Sequence, residues 1–239
     1  MRIIIDTPDH IAARACEQYI QLLHDKPNAV LGLATGSTPL GLYATLAKAF
    51  AAGRLSFRDA TSFNLDEYVG LAPTHDQSYR YFMQENLFRF IDLPAERIHV
   101  PSGIDISAEA LSGYDAAIAA AGGIDLQLLG IGNNGHIVFN EPGTPLESLT
   151  HVVELTKDTR AVNARFFASP DEVPTHAATM GIRTVMNARG ILLIALGKAK
   201  APVILKTLRG PVTTEVPASV LQLHPNVTVY LDEEAASLL

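Results

Sequence analysis

The sequence predicts an α/β fold with a mainly parallel sheet and helices on both faces. Short, almost continuous apolar runs, such as residues 125–131 and 190–196, are typical of strands buried on both faces of a parallel sheet. Longer amphipathic segments lie between these runs, and strands that alternate with helices indicate β–α–β units. No repeat, low-complexity tract or long Pro/Ser linker interrupts the pattern. We therefore expect residues 1–239 to form a single Rossmann-like domain.

Strands are predicted where a short apolar segment ends at glycine or at a polar turn. They are residues 2–6, 28–34, 61–65, 97–100, 125–131, 190–196 and 227–231. Helices are predicted where apolar residues recur on one face; residues 8–24, for example, align Ala12, Cys16, Ile20 and Leu23. The predicted helices are residues 8–24, 40–50, 77–90, 107–121 and 198–208.

The composition excludes several classes of protein. The chain has 239 residues, is 48% hydrophobic and carries a formal net charge of −7, from 18 Lys and Arg against 25 Asp and Glu. An acidic chain without a basic run is a poor candidate for binding nucleic acid or a membrane surface. A bound anion has to be held by a few local cations and backbone amides.

Cysteine usage and the N-terminus indicate the compartment. Cys16 is the only cysteine, so no internal disulfide forms, and its position on a helical face predicts core packing. The N-terminal residues 1–10 are too short and too polar for a signal peptide, and no window approaches the ~20 apolar residues of a membrane helix. We therefore expect a cytoplasmic protein.

The most informative segment is LLGIGNNGHIVFNEPG, residues 128–143. Asn134, His136, Asn140 and Glu141 fall within eight residues of one another, just beyond the end of a predicted buried strand. Ligands of open α/β sheets bind at the carboxyl ends of the strands. Packing alone rarely requires an imidazole, two amides and a carboxylate so close together, so the segment is predicted to be an active-site loop.

Two alternatives exist for this loop. Gly130, Gly132 and Gly135 satisfy the G-x-G-x-x-G pattern of dinucleotide-binding proteins, but that pattern opens a helix, whereas HIVFNEPG with Pro142 argues against a long one. The other alternative is a glycine turn that holds a core histidine. Neither explains Glu141.

The segment TGSTP, residues 35–39, connects a predicted strand to a helix. Glycine allows the backbone to approach a ligand, hydroxyl groups donate hydrogen bonds, and a helix N-terminus favours an anion. The segment therefore predicts phosphate binding. The alternative is that Ser37 or Thr38 only caps the helix.

Asp66 and Glu67 follow the predicted strand 61–65 in FNLDEY. A carboxylate at the end of a strand is a candidate general base. Its alternative role is to cap a helix or to form a turn. The pair alone does not support a glycosidase, because the separation and roles of the carboxylates cannot be derived from sequence.

Two basic residues are candidate anion ligands. Arg165 lies in VNARFF, and Lys200 lies in LGKAKAP, where a helix starts after a buried strand. Lys200 as a Schiff-base nucleophile would need a desolvated pocket. The Pro-containing residues 168–175 are a candidate mobile loop over the site.

The remaining histidines and a metal site are weaker candidates. His75 and His224 are expected to be structural. A metal site formed by His136, Glu141 and Asp66 has no recognised ligand spacing, so we expect none.

Several motifs together resemble the glucosamine-6-phosphate deaminase (isomerase) family. They occur in family order over nearly the whole chain, and GHIVFNEPG with NLDEYVG is highly specific. The matching stretches are LGLATGSTPLGLY, SFNLDEYVGL, QSYRYFMQENLF, LLGIGNNGHIVFNEPG, TRAVNARFF, ATMGI, GKAKA and ASVLQLHP.

The resemblance implies hydrolytic deamination and aldose–ketose isomerisation of glucosamine 6-phosphate to fructose 6-phosphate and ammonia, without a cofactor. It implies that His136, with Glu141 and Asn134, assists opening of the sugar ring, and that Asp66 moves a proton from C2 to C1. An unperturbed histidine titrates near pH ~6.5, and an unperturbed aspartate is ionised at pH 7, which suits both roles. The implied phosphate ligands are Gly36, Ser37, Thr38, Arg165 and Lys200.

The chain departs from some family members in two ways. Some have Asp where this chain has Asn134, and an amide can only orient or hydrogen-bond. In the branch activated by N-acetylglucosamine 6-phosphate, basic residues follow NEP and a longer C-terminus contributes a tyrosine. Residues 142–156 contain no Lys or Arg, and the sequence ends at Leu239. We therefore expect no such allosteric site, and a monomer or homodimer rather than a hexamer.

Two other functions compete with the deaminase. One is an enzyme of the related 6-phosphogluconolactonase type, and the other is a non-catalytic sugar-phosphate sensor. The NLDEYVG and GHIVFNEPG motifs favour the deaminase, and no helix-turn-helix or basic flank supports a sensor. The preference for the gluco or galacto epimer depends on pocket geometry.

Overall fold

The computed structural model describes the backbone of residues 1–239 and the side chains of all of them except residues 166 and 170. A seven-stranded sheet with parallel pairing throughout forms its centre, in the order β1-β10-β9-β6-β2-β3-β5. Each of the seven predicted strands is present, within two residues at either end. Their bounds are β1 Arg2–Ile5, β2 Val30–Leu33, β3 Thr61–Asn64, β5 Ile98–His99, β6 Leu126–Leu129, β9 Ile191–Ala195 and β10 Val227–Leu231.

The helices follow the predicted order, with additions. They are α1 Pro8–Asp25, α2 Leu40–Ala51, α3 Tyr79–Asn86, α4 Ala108–Ala120, α5 Lys157–Asn163, α6 Ile182–Met186 and α7 Ala201–Arg209. The helix predicted over residues 77–90 was too long. The backbone leaves the helical region at Leu87, where φ is −143°, and a short 3-10 helix, Phe88–Phe90, follows.

The order of the strands places helices on both faces of the sheet, as predicted. The connections through α1 and α2 progress across the sheet in one direction, whereas those through α4 and α7 progress in the other. Because such crossovers are right-handed, opposite directions put their helices on opposite faces. The direction reverses between the neighbouring strands β2 and β6, and this reversal opens a crevice beyond their carboxyl ends.

A second sheet was not predicted. It is antiparallel, in the order β4-β8-β7, and consists of β4 Asp66–Tyr68, β7 His151–Glu154 and β8 His176–Thr179. These strands are three or four residues long and partly polar, so they lack the apolar runs that identified the main sheet. β4 begins directly after β3, so the chain passes from the main sheet into the second one at Asp66.

The core supports the prediction for the single cysteine. Cys16 is buried in the main hydrophobic cluster, and burial raises the pKa of its thiol to about 11. Within the described part of the chain, no helix combines the length and apolar character that crossing a bilayer requires.

Candidate functional site

A cavity of about 780 Å³ occupies the crevice beyond β2 and β6. Its walls come from the loop after β2, the loop after β6, the start of β4, helix α3 and helix α5. This is the position at which an open α/β sheet binds its ligand. The volume is in the range of small-molecule sites.

One end of the cavity is suited to an anion. Gly36 has φ +94°, a conformation that glycine adopts without strain, and the loop leads into the N-terminus of α2. Ser37 and Thr38 line the cavity. The capping alternative for their hydroxyls is not supported, because the N-cap residue of α2 is Pro39 and no side chain caps the helix.

Lys200 also lines the cavity and lies directly before α7. Its Nζ donates to the backbone oxygen of Ile131 and to Oδ1 of Asn133, both at 2.7 Å. Burial, together with the positive charge of Arg165, lowers the pKa of the Lys200 ammonium. Arg165 also lines the cavity. An anion bound between two neighbouring cations offsets their repulsion, so Lys200 and Arg165 are suited to share one anion.

The loop after β6 places an imidazole beside a buried carboxylate. Nδ1 of His136 lies 3.4 Å from Oε2 of Glu141, and the two side chains are 18% and 7% exposed. Asn134 donates from Nδ2 to the same oxygen at 2.5 Å and accepts the His136 N–H at its own Oδ1. The Asn134 amide therefore links the Glu141 carboxylate to the backbone of His136.

The opposite oxygen of Glu141 is held by helix α5. The hydroxyl of Thr159 donates to Oε1 at 2.6 Å, and that of Thr156 lies at 3.3 Å. Burial alone would raise the pKa of Glu141, but the hydrogen bond and charge of His136, with hydrogen bonds from Thr159 and Asn134, outweigh it. The resulting pKa is about 2, so Glu141 is a permanent anion beside the imidazole.

Asp66 faces the cavity in a different environment. It is buried, and its Oδ1 has no hydrogen-bond partner among the described residues. Burial raises its pKa well above the usual 3.8, and the charge of Glu67 raises it further. Glu67 instead accepts the backbone N–H groups of Tyr68, Tyr79 and Arg80 at 2.9–3.0 Å, which ties the start of α3 to β4. The neighbouring carboxylates thus differ: Glu67 caps a helix, as the alternative for the pair anticipated, and Asp66 is free to act as a base.

Backbone geometry explains why the β6 loop needs its sequence. A Cβ at Gly132 would overlap the imidazole of His136, and the Gly132 N–H donates to the His136 oxygen at 2.9 Å. Val138 has φ +57°, a strained conformation for a β-branched residue, and it lies in a turn closed by the Asn140 N–H bonding to Ile137. Such strain concentrates at functional sites.

The cavity brings together the residues that the sequence singled out. Nine residues were expected to have a catalytic or phosphate-binding role. Eight of them line the cavity, and the ninth, Glu141, lies directly behind His136 and Asn134. The eight are Gly36, Ser37, Thr38, Asp66, Asn134, His136, Arg165 and Lys200. The loop after Gly135 forms turns rather than a helix, which argues against the dinucleotide alternative.

The other candidates lie elsewhere. His75 and His224 are not among the described residues that line the cavity, and buried His224 bonds to the backbone oxygen of Ala188 at 2.8 Å. Among the described residues, no group of three His, Cys, Asp or Glu side chains is arranged to hold a metal ion. Mobility of residues 168–175 stays a prediction.

Sequence reasoning missed two parts of the site. One is Thr159, whose only signal was the spacing from Thr156, typical of a helix start. The other is an aromatic cluster beside Asp66, in which Tyr68 lies 4.8 Å from Tyr79 and 5.9 Å from Phe139, centroid to centroid. Its members are far apart in sequence, so no local pattern marks them.

Comparisons with known proteins agree with this geometry. A family model described as glucosamine-6-phosphate isomerases/6-phosphogluconolactonase matches residues 6–230. A protein of Rhodopirellula baltica named glucosamine-6-phosphate deaminase is 54% identical over 235 residues, which cover 97% of this chain and 94% of the relative. One of the same name from Thermoanaerobacter pseudethanolicus is 50% identical over 242 residues, covering 100% and 95%.

Solved structures give the same result. A structure described as a monomeric glucosamine-6-phosphate deaminase has a TM-score of 0.97 at 44% identity, with both chains covered completely. A 6-phosphogluconolactonase from Trypanosoma cruzi, at 23% identity and a TM-score of 0.78 over 100% of this chain and 96% of its own, shares the fold. The chain therefore belongs to the family of glucosamine-6-phosphate isomerases and 6-phosphogluconolactonases, as its motifs indicated.

Proposed function

We propose that this chain converts glucosamine 6-phosphate and water to fructose 6-phosphate and ammonia, with residues 1–239 acting as one domain and without a cofactor. The observation that carries the proposal is a cavity that holds candidate anion ligands, a buried carboxylate and an imidazole backed by a second carboxylate. Asp66 has a raised pKa and an Oδ1 without a hydrogen-bond partner among the described residues, whereas Glu141, behind the cavity wall, is an anion paired with His136. The relatives named glucosamine-6-phosphate deaminase support the same reaction.

The phosphate binds at the end formed by the loop after β2 and by Lys200. The amides and hydroxyls of Gly36, Ser37 and Thr38 donate to its oxygens, and Lys200 and Arg165 neutralise its charge. A phosphate anchored away from the reacting carbons provides binding energy that orients C1 and C2.

His136 opens the sugar ring. Its imidazole removes the proton of the C1 hydroxyl and returns one to the ring oxygen, which leaves an aldehyde at C1 and a free hydroxyl at C5. The Glu141 anion stabilises the protonated imidazole in between, and Asn134 keeps the carboxylate in place.

Asp66 then moves the proton that isomerises the chain. It removes the proton from C2 while the C1 aldehyde oxygen takes up a proton from the C2 ammonium group, which gives an enolamine. Asp66 then returns its proton to C1, which leaves a C1 hydroxyl group and a carbon–nitrogen double bond at C2. Water adds to C2, the C2–nitrogen bond breaks, and ammonia leaves, so fructose 6-phosphate remains. A raised pKa makes Asp66 a stronger base once it is ionised.

A monomer or a homodimer is part of the proposal. The solved structure at 44% identity is described as monomeric, which supports the monomer. Light scattering coupled to size-exclusion chromatography tests this directly, and a hexamer would contradict it.

Ammonia release tests the function. Purified protein is assayed with glucosamine 6-phosphate, galactosamine 6-phosphate and 6-phosphogluconolactone, beside D66N and the control D9N, whose carboxylate is exposed on α1. We expect release from the gluco substrate that D9N retains and D66N loses by about 100-fold or more. Release that survives in D66N would remove the base assignment, and lactone hydrolysis without ammonia would favour the 6-phosphogluconolactonase alternative.

A further inference from the structure

Glu141 is held from two sides by different parts of the chain. Its Oε2 accepts a hydrogen bond from Nδ2 of Asn134 at 2.5 Å and lies 3.4 Å from Nδ1 of His136, and all three residues belong to one loop. Its Oε1 accepts a hydrogen bond at 2.6 Å from the hydroxyl of Thr159, which lies 18 residues further along the chain in helix α5. One oxygen therefore contacts the imidazole side of the site, and the other attaches the carboxylate to the helix.

Thr159 is well placed to hold the carboxylate. It is buried, lines the cavity, and lies in the first turn of α5, where Thr156 accepts its backbone N–H at 3.2 Å. The hydroxyl of Thr156 also donates to that of Thr159 at 3.0 Å. The first turn of α5 therefore holds the Thr159 hydroxyl in the position from which it donates to Glu141.

The geometry points to Thr159 as a positioning residue that sets the plane of the Glu141 carboxylate and thereby aims Oε2 at the His136 imidazole. This rests on the proposed function, in which that imidazole opens the sugar ring. The physical reason is that a carboxylate rotates about its last carbon–carbon bond unless both oxygens are bonded. Without the Thr159 hydroxyl, the longer hydrogen bond from the Thr156 hydroxyl, at 3.3 Å, is what remains on Oε1 among the described residues, and one amide and a 3.4 Å contact remain on Oε2, so the plane of the carboxylate is held less firmly.

Three variants test the role. T159V keeps the shape of the side chain and removes the hydroxyl, and T159S restores the hydroxyl. T184V is a matched control, because buried Thr184 also donates to a carboxylate, that of Asp115, at 2.6 Å and is not among the described residues that line the cavity. T184V therefore loses a similar hydrogen bond without touching the site.

In ammonia release, we expect T159V to lower kcat by about 10-fold or more while KM changes by less than about threefold, because the phosphate ligands are intact. T159S restores kcat, and T184V keeps it. A T159V enzyme with kcat within about twofold of the unmodified protein, or an equal loss in T184V, would overturn the inference.

A second measurement does not depend on activity. The ¹⁵N shifts of the His136 imidazole, recorded without substrate, report its contact with Glu141. We expect them to change in T159V and to stay in T159S and T184V; unchanged shifts in T159V would overturn the inference. If the unmodified protein releases no ammonia, the proposed function fails, and the His136 shifts still decide whether Thr159 positions the pair.

Discussion

The buried carboxylates Asp66 and Glu141 are expected to affect the stability of the fold in opposite directions. We compare D66N and E141Q, which remove the same negative charge from neighbouring parts of one site. D66N is expected to stabilise the folded protein at neutral pH, and E141Q to destabilise it. The reason is that Asp66 is buried without a partner for Oδ1, whereas Glu141 is hydrogen-bonded on both oxygens.

The magnitude for Asp66 follows from its desolvation. A buried polar group without a hydrogen bond costs about 1–3 kcal/mol, and more when it is charged. Because the folded-state pKa of Asp66 is raised, the cost appears as pH rises through that pKa and is absent at low pH, where the carboxyl is protonated in both states. An amide at this position also lacks a partner but carries no charge, so D66N removes only the charge-dependent part of the cost. We expect a gain of about 1–3 kcal/mol near pH 7.5, or about 2–4 °C in Tm for each kcal/mol.

The magnitude for Glu141 has the opposite sign. A carboxyl whose pKa falls from 4.5 to about 2 on folding contributes about 3 kcal/mol. Since the folded-state pKa is lowered, this contribution is complete above pH 4.5 and is lost as pH falls towards 2. E141Q should therefore lose about 3 kcal/mol near neutral pH.

Urea unfolding of the three proteins at about pH 7.5 and about pH 4 measures both effects. The difference between D66N and the unmodified protein should shrink at the lower pH. A D66N variant that is no more stable near pH 7.5, or whose gain is the same at both pH values, would refute the assignment of Asp66 as a carboxyl whose pKa is raised by burial. An E141Q variant of unchanged stability would refute the account of Glu141.

Three further predictions concern activity. G132A should lower kcat by about 10-fold or more, because the added Cβ overlaps the His136 imidazole. The control G113A, whose Cβ on α4 would meet open space, should keep kcat, and equal kcat values in the two variants would contradict this prediction. K200M should raise KM by about 10-fold or more, because a cation that binds the substrate phosphate is lost. The control K198M, at an exposed position, should leave KM unchanged. An unchanged KM in K200M would exclude Lys200 as a phosphate ligand. E67Q should move the acid limb of the pH profile of kcat/KM to lower pH, because removing the neighbouring negative charge lowers the pKa of Asp66. An acid limb that stays at the same pH or moves to higher pH would contradict the effect of Glu67 on Asp66.

Much of the fold was predictable because it is written in local patterns. Most strands of the main sheet are short, largely apolar runs, and helices α1, α2 and α7 each have a buried stripe, as the burial of Cys16 on α1 illustrates. The second sheet escaped because β4, β7 and β8 are short and partly polar, and only their pairing with one another makes them strands.

The candidate site divides in the same way. The sequence by itself determined the family and singled out the loops after β2 and β6 as parts of one site, because side-chain chemistry and spacing are local properties. It gave Asp66 an ordinary ionised carboxyl. Only the tertiary structure decided that Asp66 is buried without a partner for Oδ1 among the described residues and that Thr159 donates to Glu141 from helix α5. Desolvation and contacts between distant segments depend on which groups are packed together, and no local pattern records that.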